Sequence, residues 1–151
     1  MSQATRIAIV AAMEADTALV ALLGKDPADG TSPAIFNGHK NQAPTVYNCL
    51  TYRVQTQAPD RRFRPPINAG GGSSTVQDEY FEMEVWTDKP DSADIEAIAA
   101  RLSALFDNQT LTTSGGGRIF RSELVSGQPD LYDDKLNAWY GLFLFRLRIQ
   151  R

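Results

Sequence analysis

The stretch that follows Pro90 constrains the fold most. Asp91 or Ser92 can cap a helix there, and Asp94 and Glu96 fall in the first turn, where the helix dipole favours acids. Ile95, Ile98, Ala99, Leu102, Leu105 and Phe106 recur at helical spacing along one side. A stripe that wide has to lie on something, and the neighbouring sequence supplies it. From Thr75 to Thr87, Phe81, Met83, Val85 and Thr87 alternate with Glu82, Glu84 and Trp86. From about Asn137 to Gln150, Phe143, Phe145, Leu147 and Ile149 alternate with Leu144, Arg146 and Arg148, the two arginines facing outward. A helix stripe beside strands with one apolar face predicts a shared core of Phe81, Met83, Val85, Leu102, Leu105, Phe106, Phe143, Phe145 and Leu147.

Other elements fit around this unit. Ala4 to Leu23 reads as two short helices or one kinked helix, because Asp16-Thr17 is a capping signal inside it, with Gly24 at the left-handed end position. Ala34-Ile35-Phe36 suits a brief edge strand. Thr45 to Thr56 and Arg118 to Ser126 are rich in β-branched and aromatic residues and read as strands, and Gln109 to Gly117 as a polar loop. The order of helix, strand pair, helix, strand pair predicts an α+β fold: an antiparallel β-sheet of about four strands with two main helices packed on one face. With 151 residues, 42% of them hydrophobic, a single domain spanning 1–151 is expected, carrying a long inserted loop at about 57–74.

Composition narrows the chemistry. One cysteine, Cys49, excludes an intramolecular disulfide and suits a reducing compartment. Cys49 reads as a packing residue and His39, between Gly38 and Lys40, as a surface residue; one cysteine and one histidine do not close a zinc site. With 15 basic and 18 acidic side chains the net charge is −3, opposite to the field that holds nucleic acid. No apolar run reaches the roughly 20 residues of a membrane span, and acids stand where an export signal would end, so neither a membrane nor the usual export route is expected. Nothing here points to an enzyme or a cofactor.

Three clusters remain. Glu79, Glu82 and Glu84 read as the solvated face of a strand rather than paired catalytic acids. In QPDLYDD, the acids Asp130, Asp133 and Asp134 mark a turn, and Leu131 with Tyr132 either anchors on a neighbour or packs over the chain's own edge. Asp60 to Ile67 sets Arg61, Arg62 and Arg64 around Phe63, between prolines and near the triplet Gly70-Gly71-Gly72. Neither this triplet nor Gly115-Gly116-Gly117 has the lysine of a phosphate loop, so both read as joints. The arginine segment reads as a disordered loop, a nucleic-acid contact or an arm docking on another subunit. The arm is favoured, because a folded-back loop can project roughly 30 Å while the radius of gyration should be about 15 Å. The acidic strand of a neighbouring copy is its expected seat. Tyr80 and Trp86, on the strand face away from the helices, also call for a cover from another copy.

With these residues in view, the chain resembles the tail terminator or tail completion proteins of long-tailed bacteriophages. The resemblance rests on the helical start RIAIVAAMEADTALVALLG, the short AIF strand followed by a Gly and a Pro, and the strands TVYNCLTYRVQT and YFEMEVWTDK. It continues through the helix SADIEAIAARLSALFD and the close DLYDDKLNAWYGLFLFRLRIQR, an acidic LYD turn leading into a strand of alternating apolar residues and arginines. The Gln57–Ser74 loop departs from the shortest members. The resemblance implies a structural virion protein: a ring, usually of six copies, in the neck region, assembled in the host cytoplasm. Its implied partners are further copies of itself, the tail tube protein and the head–tail connector or stopper, with DNA only as transiting cargo. A stopper or a tube subunit is the alternative.

Overall fold

The computed structural model describes residues 3–38, 46–55, 76–112 and 118–150. Among these, the elements run α1 (Gln3–Ala15), α2 (Thr17–Leu22), β1 (Ile35–Asn37), β2 (Cys49–Gln55), β3 (Val76–Thr87), α3 (Ala93–Phe106), β4 (Leu111–Thr112), β5 (Arg118–Asp133) and β6 (Ala138–Gln150).

The helical start breaks at Asp16. Its carboxylate accepts the Leu19 N–H at 2.7 Å, which starts α2 afresh. The same carboxylate accepts from Arg101 of α3, through Nε at 3.3 Å and through the terminal amine, so one acid caps α2 and ties it to α3. The Arg101 bond, aided by the Leu19 N–H, holds the Asp16 carboxyl below the usual carboxylate range. A depressed folded-state pKa adds stability above the unfolded value and loses it as pH falls through the folded one. Asp16→Ala should therefore cost about 1–2 kcal/mol near neutral pH, mostly through the cap, since the Arg101 side chain is more than a third exposed and its ion pair is screened by water. In urea titrations the gap between wild type and variant should narrow as pH drops below about 4; a gap independent of pH would contradict this assignment.

Gly24 departs from expectation. Only Gly30, with φ 68°, has a positive φ among the described glycines, so Gly24 is no left-handed cap. Its role is close approach: a Cβ there would stand 2.9 Å from the Tyr47 carbonyl oxygen, and the Gly24 N–H donates to the Asn48 carbonyl at 2.7 Å.

The strands form one sheet of order β1-β2-β3-β6-β5-β4. It is mixed, not wholly antiparallel, because β1 pairs in parallel with β2 (Ile35 opposite Leu50), whereas the other pairs are antiparallel. Six strands replace the expected four: two are the short edges β1 and β4, the latter inside the segment read as loop. β5 also runs past Ser126 to Asp133, so QPDLYDD is mostly strand. Three register shifts along β5, together with Gly127 and Pro129, are tolerated because its partner on the outer side, β4, meets only Arg118 and Ile119.

Helix α3 lies over this sheet. Ile95, Ile98, Leu102 and Phe106 share one core with Leu50, Phe81, Met83, Val85, Phe143, Phe145, Leu147 and Ile149, and Ile9, Met13 and Leu19 of the first two helices complete it. Of the core expected from sequence, only Leu105 is half-buried rather than buried. The chain leaving α3 is stitched to β5: Asn108 N–H donates to the Ser122 carbonyl at 2.8 Å and Ser122 N–H to the Gln109 carbonyl at 3.0 Å.

Candidate interaction surfaces

α3 covers one face of the sheet and shares its core with side chains of α1 and α2, so the other face shows what the chain offers to partners. Register decides which side chains reach it. Arg53, Glu82 and Leu144 stand abreast on β2, β3 and β6, next to Thr51, Glu84 and Leu142. This face carries a lattice of ion pairs from β2 to β5. Arg53 meets Glu82, Arg146 meets Glu123, Arg121 approaches Glu123 at 3.3 Å, and Arg148 holds Asp78 through two bonds of 2.9 and 3.1 Å. The outward arginines of the last strand are thus engaged. The Arg148 guanidinium holds the Asp78 carboxyl below its ordinary range.

This geometry corrects the grouping of Glu79, Glu82 and Glu84 as one acidic surface. Glu79 has the parity of Phe81 and is 7% exposed, on the helix side; Glu82 is 5% exposed and ion-paired with Arg53; only Glu84 remains half-buried on the open face. The reason is the strand period: residues 79 and 82 have opposite parity and cannot share a face. Trp86 needs no outside cover, for it is buried and stacked on Tyr140 at 4.7 Å, in a small second core with Ala34, Cys49 and Ala138. Cys49, fully buried in that core, is the packing residue expected, and the same burial pushes its thiol up to about 12. Tyr80 stays half-buried.

Leu131 and Tyr132 are consecutive strand residues and so point to opposite faces. Leu131 pairs across from Tyr140, while Tyr132, 44% exposed, meets the ring of Trp139 edge-on at 5.1 Å. Below them Asp133 closes the β5–β6 turn by accepting from the Lys135 and Leu136 N–H groups at 2.9 and 3.0 Å, so the expected turn role holds at Asp133 and Asp134 but not at Asp130, which lies within β5. His39, the segment Arg61, Arg62, Phe63 and Arg64, and both glycine triplets lie outside the described residues.

One surface escaped the sequence reading. Where α1 passes the β1–β2 margin, a groove of about 310 Å³ is lined by Ile7, Val10, Ala11 and Tyr52, with Arg6 and Glu14 on its rim. The signal was present: only Arg6 and Glu14 are charged in the whole of α1, so the helix is apolar on its outward side as well.

Neither a family model nor a curated protein matches this sequence. Solved structures do share its fold. A chain described as the virion of a native gene transfer agent particle is 20% identical, with 98% of this chain and 96% of that one covered and a TM-score of 0.68. A second solved chain, also 20% identical, covers 97% of this chain and 96% of its own at a TM-score of 0.56. At such identity the likeness defines the fold and its extent.

Proposed function

We propose that this protein is a structural virion component that forms a closed ring at the head-proximal end of a phage-like tail, where it ends the tail tube and joins it to the head connector. The observation that carries this reading is the end-to-end likeness of fold to a chain of a gene transfer agent virion. The sequence resemblance to tail terminator proteins supports the finer role. The open sheet face fits a protein that DNA passes without sticking: Arg53, Arg121, Arg146 and Arg148 each already face an acid, which leaves little free positive charge for phosphates. In this role the partners are further copies of the chain, the tube protein and a connector or stopper. Arg61, Arg62, Phe63 and Arg64 serve as an arm to a neighbour, and Glu84 is the acid of β3 open to meet it. No catalysis, cofactor or membrane enters the account.

Light scattering on the purified protein separates the readings. A terminator should give one closed species, about six times the 16.6 kDa chain for a hexamer, at every concentration above its assembly threshold. Open-ended growth into fibres would favour a tube subunit instead, and a strict monomer that also ignores tube ends would contradict the ring.

A further inference from the structure

Among the described residues three large apolar side chains stay well exposed: Ile7 at 49%, Val125 at 49% and Tyr132 at 44%. They fall on two margins of the molecule. Ile7 belongs to the α1 groove over β1 and β2, whereas Val125 and Tyr132 lie on β5, beyond the central β3–β6 pair. Resting on the ring reading, we propose that these margins are the two halves of one contact, in which the β5–β6 tip of one copy, led by Tyr132, seats in the α1 groove of the next.

Symmetry gives the first argument. A contact between two different patches of a molecule propagates head to tail and closes into a ring when its rotation allows, whereas a self-complementary patch stops at a dimer. Chemistry gives the second. The tip presents an aromatic ring with a polar end, a residue type enriched among interface anchors, and the groove offers the side chains of Ile7, Val10 and Ala11 beside the buried Tyr52 to receive it.

Charge sets the orientation. Asp130, Asp134 and Lys135 are exposed around the tip. On the groove, Arg6 stands in the first turn of α1, which holds no acid to offset the positive end of the helix, and Glu14 stands two turns further on. Acids toward Arg6 with Lys135 toward Glu14 is the pairing that places every tip the same way. Backbone pairing along β5 is the weaker route to a neighbour, because its register shifts and Pro129 blunt that edge, so side chains must carry the contact.

A mixing experiment tests the inference. Tyr132→Ser disables the tip and Ile7→Asp disables the groove; both positions are exposed, so each variant should keep the wild-type circular dichroism, with Tyr132→Ser melting somewhat lower for its lost contacts to Trp139 and Asn137, while Tyr132→Phe keeps the ring contact and should still assemble. By sedimentation each disabled variant alone should be monomeric. An equimolar mixture should give dimers and nothing larger, since the intact tip of one fills the intact groove of the other and leaves two dead ends. Wild-type rings that persist in either variant, or a mixture that stays monomeric, would overturn the pairing and leave the ring reading standing. A wild-type chain that forms no ring would overturn the ring reading itself and this inference with it.

Discussion

Replacing Phe143 by Ala should lower stability by about 3–5 kcal/mol, the largest single effect expected in this chain. Phe143 is 4% exposed in the middle of β6, facing α3. Its ring lies over two glycines: a Cβ on Gly127, its partner on β5, would stand 3.1 Å from the ring, and one on Gly141, two residues before it on β6, 2.8 Å. An aromatic laid over backbone that carries no side chains leaves nothing able to collapse into the space it vacates, so truncation should open a cavity rather than prompt repacking. Urea titration reads the loss directly, and a change below about 1 kcal/mol would place Phe143 outside the core.

The converse substitution, Gly141→Val, should destabilise by about 1–3 kcal/mol or more through overpacking. A Cβ at Gly141 would meet the Ile95 side chain at 2.7 Å and the Phe143 ring at 2.8 Å, from two sides at once. One of those neighbours can shift only by pushing α3 away from β6. The same change at Gly30, where nothing stands within 4 Å of an added Cβ, differs in kind, since its cost would come from the positive φ of 68° and not from crowding. If Gly141→Val proved neutral, the seating of α3 on β6 would be wrong.

Gly141 also shows where the sequence stopped being legible. The α3 stripe and the two alternating strands announced themselves through period, and the core they predicted formed almost residue for residue. Gly141 interrupts that alternation, and only the third dimension shows that it admits a helix. The parallel β1–β2 pair was hidden for a related reason: three residues of strand carry no period, and nothing local says which neighbour they join. The full length of β5 is hidden in the sequence because Gly127 and Pro129 usually end a strand, and here they sit where the outer side has little pairing to lose. Among the surface residues, parity alone was enough to separate Glu79 from Glu82 and Leu131 from Tyr132. What parity could not give was the Arg53–Glu82 pair, because it depends on the register between β2 and β3. The groove at α1 was written in the near absence of charge along that helix, a signal that counts only once its buried side is known.

The ring at the tube end is the claim on which the rest depends, and electron microscopy of the purified protein mixed with preformed tail tubes tests it most directly. The expected result is a single ring closing one end of each tube, with no protein along the tube wall and no further growth from the capped end. Tubes that keep growing with the protein present, or that carry it along their length and at neither end, would contradict it.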